Sequence, residues 1–266
     1  MTAIQTTVFF DLDGTIVEDF FGKVILPMVV ATLARWSGVD ESTLRHEIAD
    51  ERHRRTANPR MDNYARSVDY DQIVDTIAAR HGIASRLPDY LCFKLVSRHA
   101  PYKAKSLEGA YDVLSQLHQV GIDLVVSTLG LFRYQSLVLQ ALGLLKFFAD
   151  CLAPDTVGFL KTDPRFLQRY QALNTLKISV GDSLRDDIYM PHLVGFKTVL
   201  VFHEPDLRSL NAFERPHHLD RYAHKLRYYE EYGGKVQPDA VITQLAELPD
   251  VVYRLQENGA TAVRAR

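Results

Sequence analysis

The stretch TTVFFDLDGTIVEDFF, residues 6–21, raises the question on which the interpretation of this sequence depends. Thr6–Phe10 is β-branched and aromatic and is followed by an Asp–Gly turn, a pattern typical of a short buried strand. Asp11 and Asp13 come directly after it, close to each other. Neighbouring carboxylates repel unless a cation lies between them, one keeps a proton, or a reaction uses both.

Other apolar runs further along the chain predict more strands. They cover Ile122–Ser127, Leu176–Asp182, Lys197–Phe202 and Pro238–Ile242. Continuous apolar runs are typical of parallel strands that are buried on both faces. Residues 107–120 and 131–142 have helical periodicity. Strands that alternate with helices predict a three-layer α/β fold, in which right-handed crossovers put helices on both faces of a parallel sheet.

Residues 24–100 have a different character and predict an all-helical insert after the first strand. Apolar positions recur at helical spacing in Val24–Trp36, Ser42–Ala49, Tyr70–Arg80 and Asp89–Arg98. The polar and basic stretch Glu51–Tyr70, interrupted by Pro59, is expected to be a loop. It is either a solvated connection or a loop that faces the substrate.

The 203–236 segment fits the alternating pattern poorly. It is rich in His, Arg and Tyr, and we expect a loop followed by one exposed helix, Leu219–Tyr232. This segment is interpreted as an addition to the α/β core.

Composition and charge exclude several classes of partner. The 266 residues are 47% hydrophobic and 24% charged, as in ordinary globular proteins. A formal net charge of −2 does not favour nucleic acid or a membrane surface as a partner. The start of the chain lacks the pattern of a signal peptide, and the longest apolar stretch, Val24–Leu33, is too short to span a bilayer. We therefore expect a soluble cytoplasmic protein that is a monomer or a homodimer.

Polar side chains follow several predicted strands at the edge where an open parallel sheet binds ligands. They are Asp11, Asp13, Ser127, Thr128, Asp182, Asp186 and Asp187, and Lys161 lies in the loop before the strand that leads to Asp182. Several carboxylates without His or Cys make an oxygen-only site, which prefers Mg²⁺. A lysine and a hydroxyl nearby add donors for a phosphate.

The Asp-x-Asp spacing divides two roles between its carboxylates. One of them can contact the metal and attack phosphorus. The other can protonate the leaving oxygen and later take a proton from water. Gly14 lets the chain turn sharply away and leaves room for a phosphoryl group.

The segments FFDLDGT, LVVSTLG, VGFLKTDPRF and VGDSLRDDIYMPHLVGFKTVLV, in this order, resemble the four motifs of the haloacid dehalogenase (HAD) superfamily. The resemblance covers roughly residues 5–203 and resumes at PDAVITQLAELPDVV. It implies a Rossmann-like core of residues 1–20 and 103–266, with strand order 5-4-1-2-3. The insert, residues 21–102, resembles the C1-type cap of that superfamily.

The resemblance also implies roles for the residues that match the motifs. Asp11 is expected to be the nucleophile and a Mg²⁺ ligand, and Asp13 the general acid/base with its backbone carbonyl on the metal. Ser127, Thr128 and Lys161 are expected to bind phosphate, although Thr128 stands where the family often has Asn.

Asp182 and Asp187 complete the implied metal site. Asp187 fits the second acidic position better than Asp186, which stands where the family often has Asn. The family often has Pro after the lysine, whereas Thr162 follows Lys161 here.

The reaction implied by the resemblance depends on Asp13. Dehalogenases of the superfamily lack an acid at that position, because a halide leaves without a proton. An alkoxide needs one, so Asp13 favours a Mg²⁺-dependent phosphatase that acts on a small phosphorylated metabolite. A phosphomutase, a dehalogenase and a non-catalytic binding module remain as alternatives. In the loop of the cap, Arg54, Arg55 and Arg60 are candidates to bind a second anionic group of the substrate.

Overall fold

The computed structural model describes residues 5–57 and 64–264. Six strands form one sheet in this part of the chain: β1 (Thr6–Phe10), β2 (Asp123–Ser127), β3 (Asp150–Leu152), β4 (Leu176–Gly181), β5 (Lys197–Val201) and β6 (Ala240–Ile242). All neighbouring strands are parallel, and their order is β3-β2-β1-β4-β5-β6. The predicted order 5-4-1-2-3 is therefore confirmed, and β6 extends the sheet beyond β5.

The central strand β1 is buried over its whole length. Because successive side chains point to opposite faces of a strand, Phe9 and Phe10 fill the two layers on either side of the sheet. Phe9 packs against Tyr170 and Phe196, with ring centroids 4.8 and 5.0 Å away. Phe10 packs on the other side against Phe148 at 6.2 Å. This packing fixes the end of β1, and with it the start of the loop that carries Asp11.

The connection between β1 and β2 is helical, as predicted. Its described part, residues 21–57 and 64–103, is called the helical insert below. After a π-helical turn (Phe21–Ile25) it contains α1 (Leu26–Ser37), α2 (Glu41–Ala57), α3 (Tyr70–Arg80) and α4 (Leu91–Lys103). The domain boundaries given above, with a cap of residues 21–102, stay a prediction.

The ends of these helices follow from local chemistry. Gly38 ends α1 with a positive φ of 75°, and its N–H donates to the carbonyl of Ala34. Asp69 caps the start of α3 by accepting the backbone N–H of Asp71. The inward face of α1 buries Val29, Val30 and Leu33, at the spacing of an amphipathic helix.

The remaining helices flank the sheet or lie in the connections between its strands. They are α5 (Ala110–Gln119), α6 (Phe132–Ala141), α7 (Pro154–Val157), α8 (Gln168–Gln171), α9 (Met190–Leu193), α10 (Tyr229–Tyr232) and α11 (Leu248–Arg264). None of the described helices combines the length and the apolar character that crossing a membrane requires.

The 203–236 segment differs from its prediction. The prediction of a single helix over Leu219–Tyr232 is wrong. A 3₁₀-helix (Arg215–Lys225) ends before Leu226, and α10 starts only at Tyr229. Between them Tyr228 has a φ of 63°, which interrupts any continuous helix. Leu219 and Leu226 are buried in a cluster with Leu200 of β5 and Val241 of β6. The segment therefore covers the sheet beside β5 and β6.

The end of α2 also differs from the prediction. The helix runs to Ala57, so residues 51–57 are helical and do not form a loop. Its last turns have few apolar residues but are stabilised by charge pairs, because buried Glu51 accepts from Arg54 at 2.6 Å and from Arg55 at 2.7 Å. Such pairs at i,i+3 and i,i+4 support a helix without an apolar stripe.

Glu51 is expected to stabilise the helical insert in a pH-dependent way. The hydrogen bonds from Arg54, Arg55 and Arg80, opposed by burial, lower the pKa of the Glu51 carboxyl to about 2. This folded-state pKa lies below the unfolded value of about 4.3. The stabilisation by the Glu51 carboxylate is therefore fully present above a pH of about 4.3, and it is lost as the pH falls toward 2. Glu51→Gln is expected to lower the free energy of unfolding at pH 7 by about 2 kcal/mol.

The measurement is thermal denaturation, followed by circular dichroism between pH 7 and pH 3. Glu51→Gln is expected to lose less stability than the wild type as the pH falls through this range. Asp50→Asn is the control, since Asp50 is exposed on the same helix. It is expected to change stability at pH 7 by less than about 0.5 kcal/mol. Equal stabilities of the two variants at pH 7 would contradict the role given to Glu51.

Candidate active site

Three carboxylates meet at the carboxyl edge of the sheet. Asp11 follows β1, Asp182 follows β4, and Asp187 lies on the π-helical turn Leu184–Tyr189. One oxygen from each lies within 4.8 Å of the others. The backbone N–H of Asp11 donates to the carbonyl of Val180 at 2.9 Å, which ties the ends of β1 and β4 together. Parallel neighbours in the sheet thus bring side chains about 170 positions apart in sequence to one point.

Lys161 supplies the positive charge between two of these carboxylates. Its Nζ is buried and lies 2.8 Å from Oδ1 of Asp11 and 2.5 Å from Oδ1 of Asp187. It also donates to the backbone carbonyl of Ser127 at 2.7 Å. Burial alone lowers the pKa of Lys161, but the charges of Asp11 and Asp187 more than offset this, so the net pKa is raised. The ammonium is therefore fixed and charged.

The three carboxylates of Asp11, Asp182 and Asp187, called the acidic cluster below, carry more negative charge than Lys161 compensates. Burial, and then the Asp11 carboxylate, raises the pKa of Asp182, while Arg227 opposes this shift. Burial also raises the pKa of Asp187, against the nearby Lys161 ammonium. Raised carboxyl pKa values indicate a site where one more positive charge would be stabilising.

Two glycines make room for these carboxylates. A Cβ on Gly14 would lie 2.7 Å from Oδ2 of Asp182, and Gly14 has a φ of 90° that favours glycine. A Cβ on Gly181 would lie 2.1 Å from Cγ of Asp187. Both contacts are too short for any larger residue. The glycine after Asp-x-Asp is thus required by its conformation and by the side chain opposite it.

Asp13 has a different environment from Asp11. Its Oδ2 accepts a hydrogen bond from Nε2 of Gln135 at 2.7 Å. Burial and the neighbouring Asp11 carboxylate raise the pKa of Asp13 to about 7, although the bond from Gln135 opposes this shift. Asp13 is thus a carboxyl that can hold a proton near neutral pH, two positions along the chain from Asp11.

The other residues predicted for the site have separate positions. Thr128 lines the cavity next to the carboxylates, and its Oγ1 accepts from the backbone N–H of Gly130 at 3.1 Å. Ser127 is buried beside it and contacts Lys161 through its backbone carbonyl. Asp186 lies outside the acidic cluster and pairs with Arg185 at 2.8 Å. Of the two neighbouring aspartates, Asp187 is the one that faces Asp11 and Asp182.

A cavity of about 410 Å³ lies between the acidic cluster and the helical insert. Apolar side chains form part of its wall, among them those of Phe21, Val96, Leu131 and Val138. The insert thus covers the cluster and leaves a pocket of the size that suits a small molecule.

Among the described residues of the insert, Arg52 is the arginine that lines this cavity. Arg54 and Arg55, predicted to contact substrate, instead pair with Glu51 of the same helix. Arg60 lies outside the described residues. Since α2 continues through residues 51–57, helical geometry decides which of the arginines faces the core.

A polar network joins the insert to the core beside the cavity. Nη2 of Arg133, on α6, lies 2.5 Å from Oδ1 of Asp69 and 3.0 Å from Oδ2 of Asp71. The hydroxyl of Tyr134 donates to Asp71 at 2.9 Å. Asp71 also accepts the backbone N–H of Cys92, at the start of α4. This network holds α3 and α4 of the insert against α6 of the core.

Sequence reasoning missed several cavity residues, among them Arg52, Gln135 and Arg227. Gln135 is a polar residue among the buried residues of α6, beside Val138 and Leu139, which is a usable signal. Arg52 stood in a stretch predicted as a loop. Arg227 lies in the 203–236 segment, where no motif marks it.

The donors of the acidic cluster fit a hard divalent cation. Three carboxylate oxygens within 4.8 Å, with no His or Cys among them, are the ligand type that Mg²⁺ prefers. Asp11, Asp182 and Asp187 are the residues that would hold it.

Solved structures with the same architecture include phosphatases and dehalogenases. A HAD phosphatase from Thermococcus onnurineus is 24% identical over 93% of this chain and 98% of its own, with a TM-score of 0.66. The HAD-hydrolase YfnB from Bacillus subtilis, in a magnesium-bound form, is 19% identical over 95% and 100%, with a TM-score of 0.61. An L-2-haloacid dehalogenase from Xanthobacter autotrophicus is 15% identical over 94% and 98%, with a TM-score of 0.55. At these identities the similarity shows the fold alone.

Sequence comparison identifies the family. No curated protein sequence matches the chain significantly. The model of one protein family, the haloacid dehalogenase-like hydrolases, matches residues 5–195, which is more than half of the chain and includes the residues of the acidic cluster. The chain therefore belongs to the haloacid dehalogenase-like hydrolases.

Proposed function

We propose that this hydrolase is a Mg²⁺-dependent phosphatase that acts on a small phosphorylated metabolite through an aspartyl-phosphate on Asp11. The observation that carries the proposal is the environment of Asp13. Asp13 stands two positions after the nucleophile, and its Oδ2 accepts from Gln135 at 2.7 Å, so a carboxyl held in a fixed position is available to give and take a proton. The resemblance described above implies that dehalogenases of the superfamily lack this acid. A phosphate ester, unlike a halide, needs the proton for its leaving group.

Mg²⁺, bound by Asp11, Asp182 and Asp187, would offset the negative charge of the nucleophile and of the phosphoryl group. The protein's own residues account for the other requirements. Lys161 orients Asp11 through a 2.8 Å hydrogen bond and adds a positive charge near the phosphoryl oxygens. Thr128, on the cavity wall, is a candidate donor to one of those oxygens.

The first step forms a bond between a carboxylate oxygen of Asp11 and phosphorus, and breaks the bond from phosphorus to the ester oxygen. Asp13 gives its proton to that departing oxygen. Gln135 binds Oδ2 of Asp13, which leaves the other carboxyl oxygen to carry the proton. In the second step Asp13 takes a proton from water, the water oxygen bonds to phosphorus, and the Asp11 carboxylate is released.

The cavity supports a small substrate. Its volume of about 410 Å³ lies within the range of metabolite sites, and the helical insert covers it. A covered pocket excludes water during phosphoryl transfer. The cysteines Cys92 and Cys151 are both free thiols, which fits a reducing compartment such as the cytoplasm.

Loss of the nucleophile is expected to abolish hydrolysis. With Mg²⁺ present, the wild type is expected to release phosphate from p-nitrophenyl phosphate, and EDTA to stop the release. Asp11→Asn is expected to lower kcat on the order of 10⁴-fold, because an amide is not nucleophilic enough to attack phosphorus. Asp89→Asn is the control, since Asp89 is exposed in a loop of the insert.

Two results with other substrates would contradict the proposed phosphatase activity. The first is chloride release from 2-chloropropionate by the wild type without phosphate release, which would indicate a dehalogenase. The second is turnover that depends on a sugar bisphosphate, which would indicate a phosphomutase.

Replacement of Asp13 is expected to separate the two steps. Nitrophenolate leaves without a proton, so Asp13→Asn still forms the aspartyl-phosphate from p-nitrophenyl phosphate. Without a base for the water, that intermediate is hydrolysed about 10²- to 10⁴-fold more slowly. Stopped-flow absorbance is expected to show a burst of nitrophenolate followed by slow turnover, and mass spectrometry of the quenched protein to show the phosphorylated chain. Asp11→Asn is the matched control and is expected to show no burst. A normal steady-state rate in Asp13→Asn would refute the role of Asp13.

A further inference from the structure

One residue of the 203–236 segment enters the active site. Arg227 lines the cavity, and its Nη1 lies 3.0 Å from Oδ1 and 3.3 Å from Oδ2 of Asp182. The match to the hydrolase family ends at residue 195, so this arginine comes from a part of the chain outside that match. None of the roles derived above uses it.

We propose that Arg227 and a divalent cation compete for the carboxylate of Asp182, and that the displaced guanidinium binds the phosphate of the substrate. The competition depends only on the acidic cluster. The identity of the anion rests on the phosphatase proposed above.

The charges of the cluster explain the competition. When they bind a metal, the carboxyls of Asp11, Asp182 and Asp187 are ionised and bring three negative charges, and Lys161 brings one positive charge. Three minus one leaves two negative charges, which match the charge of one divalent cation. The positive charge of Arg227 is then in excess at the cluster. Mg²⁺ contacts its oxygen ligands at about 2.1 Å and repels a cation held on the same carboxylate.

The positive charge of Arg227 can bind an anion in the cavity. A phosphate monoester adds about two negative charges near neutral pH. An arginine fork is well suited to binding phosphoryl oxygens through two parallel hydrogen bonds. Arg227 already lies on the cavity wall beside Asp182, so its guanidinium is close to the space that this anion would occupy.

The surroundings of Arg227 hold its backbone in place, and its guanidinium lies between Asp182 and the Tyr228 ring, 5.8 Å from the ring centroid. On one side Leu226 is buried in the cluster beside β5 and β6. On the other side Tyr228 has a φ of 63°, its ring lies 4.0 Å from the Arg185 guanidinium, and its hydroxyl accepts from Arg185 at 3.1 Å. The side chain of Arg227 is 51% exposed.

Arg185 is in turn held by Asp186. Nε of Arg185 donates to Oδ1 of Asp186 at 2.8 Å, and Asp186 is buried. This arrangement connects the turn that carries Asp187 to the backbone beside Arg227. The neighbour of a metal-site residue thus positions the proposed anion-binding residue.

The experiment measures two affinities by isothermal titration calorimetry, that of Mg²⁺ and that of inorganic phosphate in saturating MgCl₂. In Arg227→Met the dissociation constant for Mg²⁺ is expected to fall about fivefold, because the competing charge is gone. The dissociation constant for phosphate is expected to rise about tenfold, since a charge-assisted contact is lost. A variant that only perturbs the structure of the site would weaken both.

Two further variants serve as controls. Arg221→Met removes the same charge from an exposed position of the same segment and is expected to change neither affinity. Arg227→Lys keeps the charge but loses the fork. It is expected to bind Mg²⁺ like the wild type and to bind phosphate with an affinity between those of the wild type and Arg227→Met.

The proposal would be overturned if Arg227→Met bound Mg²⁺ no more tightly than the wild type. Unchanged phosphate binding by this variant would overturn it as well. Absence of Mg²⁺ binding in both proteins would also overturn it. Failure of the proposed phosphatase function is a separate result, because the wild type would then release no phosphate from any ester. In that case tighter Mg²⁺ binding by Arg227→Met together with weaker phosphate binding would still support the role of Arg227.

Discussion

The ammonium of Lys161 between Asp11 and Asp187 is the interaction on which the active site depends. Carboxylates that are buried close together raise one another's pKa values and take up protons unless a positive charge lies among them. Lys161 provides that charge from a buried position, 2.8 Å from one carboxylate and 2.5 Å from the other. It compensates only part of the negative charge, so the cluster still favours a divalent cation. A neutral side chain at position 161 would leave Asp187 as a buried carboxyl that favours its protonated form, which is a poor metal ligand.

The helical insert packs against the core beside the site through a shared apolar cluster and through polar contacts. Arg133 and Tyr134 of the core bind Asp69 and Asp71 of the insert, and Phe21 packs against Tyr134 at 5.9 Å. Hydrogen bonds to charged groups each contribute about 1.5–3 kcal/mol of net stability. An interface built in this way holds the insert over the cavity.

The parts of the site that sequence could predict are those set by local pattern. Asp11 and Asp182 directly follow buried strands, and the parallel sheet necessarily brings strand ends together. Gln135, Arg52 and Arg227 reach the cavity through tertiary packing, which no local pattern encodes. The end of α2 was missed because Glu51 and its arginines stabilise it by charge, whereas the prediction relied on apolar periodicity. The strand β3 was missed because its three residues, at the edge of the sheet, are too few to show any period.

Two adjacent aspartates after β4 show how one turn serves two parts of the molecule. Asp187 points toward Gly181, where the absence of a Cβ gives it room, and reaches Lys161 in the acidic cluster. Asp186 lies outside the acidic cluster and binds Arg185, which stacks on Tyr228 of the 203–236 segment. Because both side chains belong to one π-helical turn, the position of the acidic cluster and that of the segment are set together. The contacts from Asp186 through Arg185 to Tyr228 hold the segment against this turn. They place the neighbouring residue Arg227, which lies outside the family match, at hydrogen-bonding distance from Asp182.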